Sequence, residues 1–134
     1  MTGSSAQTES GTVTKDSPRP VAATVTRLTE LVASKGMKLF AVIDQRAEAE
    51  QAGLELRETV LVLFGSPAAG TPVMDAAPLS ALDLPLKVLI WDDAGQTKVS
   101  YYAPATLAAR HHLSADLAAR LAAVDPITDA LVAP

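Results

Sequence analysis

Two strand-like segments constrain this chain more than anything else in it. Val60 to Phe64 and Leu86 to Trp91 are strongly apolar on both faces, and they flank a connection rich in glycine and proline. A strand with one wet face alternates apolar and polar residues, so segments of this kind ask for cover on both sides. Either helices cover both faces of the sheet, or a second subunit covers one. Only two substantial helices are legible, and helices of antiparallel α+β sheets gather on one side. The sequence therefore predicts a homodimer; the alternative is that the C-terminal segments wrap the second face.

The remaining elements follow from periodicity and punctuation. Residues 1–10 are Ser, Thr and Gly with hardly an apolar side chain, which predicts a disordered tail before a single domain over 11–134. Gly11 to Lys15 reads as a short strand. Ser17-Pro-Arg-Pro20 reads as a helix entry, with Ser17 as the cap. Val21, Val25, Leu28, Leu31 and Val32 then recur at helical spacing until Gly36. A strand is expected over Lys38–Asp44, a short helix over Arg46–Ala52 ended by Gly53, and a strand over Thr59–Phe64. One helical turn is expected within Met74–Leu82. Strands over Pro85–Trp91 and Lys98–Tyr102 are joined at Asp92–Gln96 as a hairpin. Pro104 opens a helix to Arg110, and Leu117, Leu121 and Val124 mark a last helix that Pro126 bends or ends. The fold class is α+β, a mostly antiparallel sheet of about five strands in the order β-α-β-(α)-β-β-β-α-α, with helices mainly on one face.

Composition narrows the function classes. Of 134 residues 49% are hydrophobic and 19% charged, a globular balance, and a net charge of -4 argues against binding phosphate backbones. Nucleic acid is not an expected partner. Without cysteine there is no thiolate or disulfide chemistry. The longest apolar run, Leu84 to Trp91, contains Lys87 and is far too short to span a bilayer. The first twenty residues lack the apolar core that a secretion signal requires, so a soluble cytoplasmic protein without membrane contact is expected.

Gly65-Ser-Pro-Ala-Ala-Gly70-Thr71 has two glycines and a hydroxyl spaced as in a phosphate-binding loop. It lacks the lysine such a loop needs between its last glycine and the hydroxyl residue, and Pro67 removes a donor. A nucleoside triphosphatase is therefore not expected. What remains is a shaped turn, with Thr71 or Asp75 as a cap and Gly65, Ser66, Gly70 and Thr71 as candidate contacts to a small ligand. Arg110-His-His112 holds both histidines of the chain. Adjacent histidines diverge on a helix and chelate one metal poorly, so no metal is expected. Arg110 and His111 remain candidates for an anionic ligand, with a carboxylate sought at Asp44, Glu48 or Asp92. Asp92-Asp93 reads as a solvated turn. Asp83, between two leucines, needs backbone donors or a cation. Among Met37, Phe40, Phe64, Met74, Trp91, Tyr101 and Tyr102, most are expected in the core, with one of the two tyrosines inward and the other at a surface.

The block Leu61-Val-Leu-Phe-Gly65 with Pro67, Gly70-Thr-Pro-Val-Met74 and Leu82-Asp-Leu-Pro-Leu86 through Trp91 resembles the family catalogued as domain of unknown function 302. Ala41-Val-Ile-Asp44, Tyr101 and Leu107-Ala-Ala-Arg-His111 extend the resemblance over roughly residues 11 to 131. The resemblance implies a small α+β fold and a homodimer and does not imply an activity; no cofactor is expected. The chain departs from it at three polar places. Asp44-Gln45 stands where members often have Asp-His, Gly65-Ser-Pro-Ala68 where they often have Gly-Asn-Pro-Lys, and Tyr101-Tyr-Ala-Pro104 where they often have Tyr-Asn-Asp-Pro. These absences weaken an enzymatic reading. Ranked on the residues, non-catalytic small-ligand binding by a homodimer comes first. A protein-interaction module without ligand comes second, and an enzyme using Arg110 and His111 with a carboxylate third.

Overall fold

The protein is described here by a computed structural model covering residues 5–7 and 11–134. Its elements are β1 (Ser5–Gln7), β2 (Thr12–Ser17), α1 (Val21–Ser34), β3 (Lys38–Asp44), α2 (Gln45–Gln51), β4 (Thr59–Gly65) and α3 (Pro67–Ala76). A 3-10 turn (Pro78–Asp83), β5 (Leu86–Asp93), β6 (Gln96–Tyr102), α4 (Pro104–Arg110), α5 (Ala115–Ala119) and α6 (Val124–Val132) complete the chain. The strands form one sheet in the order β1-β2-β6-β5-β4-β3 with every pair antiparallel. The five strands expected from the sequence are β2 to β6. Of the expected tail, Ser5–Gln7 pair with β2; the rest lies outside the described residues.

The hairpin between β5 and β6 closes on Ala94 and Gly95, both at positive φ, with Asp93 opposite Gln96. Two left-handed central residues are what a right-twisted two-residue hairpin requires. On one face of the sheet, Val62, Phe64, Val88, Ile90 and Val99 are fully buried under α1 and α6. Helix α1 contributes Val21, Leu28 and Val32, and α6 contributes Val124, Ile127 and Leu131. Each such side chain stabilises the fold by about 1.5–3 kcal/mol. A buried ammonium pins α6 to β2: Lys15 Nζ lies 2.7 Å from Thr128 Oγ1 and 2.7 Å from Asp129 Oδ1, beside the ring of Tyr101.

Among the described residues the other face has no helix layer comparable to this. Leu61, Leu63, Leu89 and Trp91 share it and are half-buried, and Ile43 on edge strand β3 is 37% exposed. The C-terminal helix α6 packs beside α1 on the first face rather than wrapping the second.

Several local expectations are corrected. Ser17 is the last residue of β2, not the cap of α1; its hydroxyl lies 2.8 Å from Thr24 Oγ1, and Pro20 occupies the cap position. The glycine-proline connection after β4 is a helix, α3, because Ser66 caps it and Pro67 fills its first position, where a missing N–H costs nothing. Thr71 and Asp75 therefore lie inside a helix and cap none. Pro126 sits in the first turn of α6 and opens that helix instead of ending one; the apolar stripe from Leu117 to Val124 is split between α5 and α6.

Candidate functional site

Antiparallel order brings four chain connections to one end of the sheet. There β4 ends and runs into α3, the 3-10 turn feeds β5, β6 ends and runs into α4, and β3 begins after Met37. A second, smaller apolar cluster of Val73, Leu107 and Leu121 ties α3 to α4 and to the segment after α5. Between this cluster and the main core lies a cleft of about 320 Å³, a volume at the lower end of ligand sites.

The cleft follows from small residues in α3. Ser66 Oγ accepts from the Ala69 N–H at 3.3 Å, which starts the helix. Gly70, one turn along, has no side chain; a Cβ there would stand 3.9 Å from Met74 Cε and 4.0 Å from Leu84 Cδ1. The missing methyl leaves the gap between these two. Gly65 does the same on the strand side, where a Cβ would meet Pro85 Cβ at 3.7 Å. Met37 and Phe40 close one side, Leu84 to Leu86 form the floor, and Arg120 with Leu121 and Ala123 forms the far wall. Methionines in such a wall adapt to ligands of different shape. Gly65, Ser66, Gly70 and Thr71 thus line one cleft, together with Met37, Phe40 and Met74.

Arg110 and His111 are not part of that lining. They converge instead on Asp83, at the end of the 3-10 turn. Nη1 of Arg110 is 3.0 Å from both carboxylate oxygens, and Nε2 of His111 is 2.6 Å from Oδ2. The Arg110 guanidinium also lies over the Tyr102 ring at 5.1 Å. Burial opposes ionisation of Asp83, but the hydrogen bonds from His111 and Arg110 outweigh it and hold its carboxyl below the ordinary 3.8. The carboxylate is ionised at neutral pH, so Nε2 of His111 carries the hydrogen. The cluster is a latch from α4 to the cleft floor, since Leu84 and Pro85 follow Asp83 directly.

Asp44 caps α2 by accepting from the Ala47 N–H at 2.9 Å, and Asp92 and Asp93 sit at the β5–β6 hairpin. The carboxylate that meets the histidine is therefore Asp83. Sequence reasoning flagged Asp83 as needing a cation and Arg110 as needing a carboxylate without joining them. Among the described residues no group of three or more His, Asp or Glu side chains could hold a metal ion. Phe64 and Tyr101 lie in the core, Tyr102 is 43% exposed, and Trp91 donates to Ser100 Oγ at 3.0 Å on the open face.

A small antiparallel α+β domain with a ligand-sized apolar cleft at one sheet end is the class these features define. The chain belongs to the DUF302 family, a domain of unknown function, whose signature matches residues 13–131. A crystal structure of an uncharacterized conserved DUF302 protein from Bacillus stearothermophilus has the same fold. Its TM-score is 0.77 at 20% identity, covering 91% of this chain and 95% of that one. Two curated relatives are proteins named fluoride-specific ion channel FluC 1. The Brucella suis biovar 1 protein is 41% identical over 113 residues, 82% of this chain and 44% of its own length. The Brucella abortus biovar 1 protein is 41% identical over 113 residues, 42% of its length. The chain spans less than half the length of the curated relatives it matches. No helix among the described residues is long and apolar enough to cross a membrane.

Proposed function

We propose that this is a non-catalytic domain that binds a small apolar ligand in the cleft beside α3 and works in the cytoplasm as a homodimer. The observation that carries the ligand-binding reading is the cleft itself, about 320 Å³ and walled by methionine, leucine, phenylalanine and glycine. The polar cluster at Asp83 supports the non-catalytic part. Arg110 and His111 pair with Asp83, and none of the three lines the cleft. Dimerisation is supported by the open face, where Leu61, Leu63, Leu89 and Trp91 are half-buried beside Lys87 and Lys98 and no helix layer among the described residues covers them. An acidic chain without cysteine suits the reducing cytoplasm.

Native mass spectrometry of freshly purified protein tests both parts. A dimer mass with a fixed increment per protomer is expected. A bare monomer overturns the homodimer, and a bare dimer that takes up no apolar ligand on addition overturns the binding reading in favour of a protein-interaction module.

The Brucella relatives support a second role for the same domain, as the ligand-binding part of a longer channel protein. The matched stretch is 44% of the Brucella suis protein, and among the described residues here no helix is long and apolar enough to cross a membrane. Ion passage in that relative is on this reading the work of its remaining length, and the domain tunes it. Fluoride flux through the full-length relative, with and without its matched domain, is expected to differ. Equal flux removes this role.

A further inference from the structure

The cleft's charge is one-sided. Arg120, at the C-terminal end of α5, is its single charged lining residue, and no carboxylate faces it in the lining. Its guanidinium has no hydrogen bond or ion pair with any described residue. The other five arginines all have one. Arg19 and Arg27 donate to carbonyls of α6 and the residue after it, Arg46 meets Glu50, Arg57 meets Asp93, and Arg110 meets Asp83. An arginine left unpaired at the rim of an apolar cleft is a fork of donors matched to a planar carboxylate. On the opposite rim, Lys38 lies 5.0 Å over the ring of Phe40, itself a lining residue, and forms no ion pair among the described residues.

We infer that the cleft takes an unbranched aliphatic monocarboxylate of medium length, its carboxylate at Arg120 and its chain between Met37, Met74, Gly70 and Leu84. This rests on the ligand-binding reading above and supplies its chemical class. At about 30 Å³ for each water-sized group, the volume holds about ten heavy atoms. That is a chain of eight carbons with its two oxygens. The methionines allow neighbouring lengths, and the single guanidinium matches one carboxylate.

Isothermal titration with octanoate, 1-octanol and octyltrimethylammonium, on the wild-type protein, Arg120→Gln and Gly70→Leu, tests this. Arg120 is exposed and unpaired, so Arg120→Gln folds normally, which circular dichroism checks. Octanoate is expected to bind one per protomer, and Arg120→Gln to weaken it by about tenfold or more, the scale of a charge-assisted bidentate pair. Octanol binding is expected to be unchanged by that substitution, and the ammonium compound to bind more weakly than either. Equal binding of octanoate and octanol, insensitive to Arg120→Gln, overturns the carboxylate inference and leaves the apolar-ligand reading standing. Octanoate binding that survives Gly70→Leu puts the chain outside the cleft and overturns the inference too. No binding by any of the three probes overturns the inference together with the reading beneath it.

Discussion

His111 Nε2 stands 2.6 Å from a carboxylate oxygen of Asp83, and this bond closes a loop of 28 residues between the 3-10 turn and the end of α4. Arg110 adds a second donor to the same carboxylate. The latch sits one residue before the floor of the cleft, so its integrity bears on the position of Leu84 and Pro85.

Replacing Asp83 by Asn tests the latch. The carboxyl of Asp83 is depressed from 3.8, so its contribution is complete above that value and fades as pH falls through the lower folded value. The wild-type protein is therefore expected to lose stability more steeply between about pH 4 and 2 than Asp83→Asn. At pH 7 the variant is expected to be less stable by about 1 kcal/mol, a modest figure because Arg110 is partly solvated. Urea midpoints across this range check it; parallel curves would show that the latch is energetically idle.

Lys15 and Tyr101 make the opposite prediction at high pH. Burial disfavours the Lys15 charge, but hydrogen bonds and attraction involving Asp129 and Tyr101 outweigh it and raise the ammonium above 10.5. Burial and the hydrogen bond to Asp125 raise Tyr101 above 10.0, against the pull of Lys15. Raised groups contribute below their unfolded values and lose that contribution as pH rises through the folded ones. Stability is expected to fall above about pH 10, and Lys15→Met/Tyr101→Phe to flatten the fall. Lys15→Met alone is expected to change stability at pH 7 by less than about 1 kcal/mol, because Asp129 is 70% exposed and returns to water. Lys15→Ala, which leaves a void, is expected to cost about 2–4 kcal/mol.

On the proposed ligand-binding reading, Gly70 sets stability against binding. It lies inside α3 without a positive φ, and a Cβ there meets only ordinary contacts. Gly70→Ala is expected to stabilise the protein by about 0.5–1 kcal/mol, since alanine has the lower helix-entry entropy. The same methyl occupies the gap between Met74 and Leu84, so ligand affinity is expected to fall. Urea unfolding and ligand titration on one sample measure the two effects. A gain in stability with undiminished affinity would falsify the placement of the ligand against α3.

The strands were legible because their signal is local. Val60 to Phe64 and Leu86 to Trp91 are too apolar and too short to be anything else between such turns. Helix α3 was hidden by Gly70 and Pro72, which read as breakers, although Ser66-Pro67 carries the cap and first-position signature. Pro126 misled for a related reason: its meaning depends on whether it falls in the first or a later turn, which only the helix start decides. The glycines and hydroxyls of the cleft were singled out as a loop and converge where the end of β4 runs through the Ser66 cap into α3. Nothing local could join Asp83 to His111, because that contact depends on β5 and β6 bringing α4 back to the 3-10 turn. Arg120 carried no signal either; an arginine at a helix end is ordinary until the partners of all the others are known.

Trp91 reports on the open sheet face. It is the single tryptophan of the chain, half-buried, across from Lys98 on β6 and from Thr59 on β4. Leu89 and Leu61 lie on the same face one pleat away, so a second subunit docked there removes the indole from water. Emission is expected to shift to shorter wavelength, and acrylamide quenching to weaken, as protein concentration rises through the dimer range. Leu89→Glu places a charge in the middle of that face, where burial under a second subunit costs several kcal/mol of desolvation that Lys87 and Lys98 on the same face offset only in part. It is expected to give a folded monomer with concentration-independent, red-shifted emission. Because Leu89 lies on the face opposite the main core, secondary structure is expected to survive. A Leu89→Glu protein that still sediments as a dimer would assign the interface elsewhere, with the exposed side chains of β3, Leu39, Phe40 and Val42, as the next surface to charge.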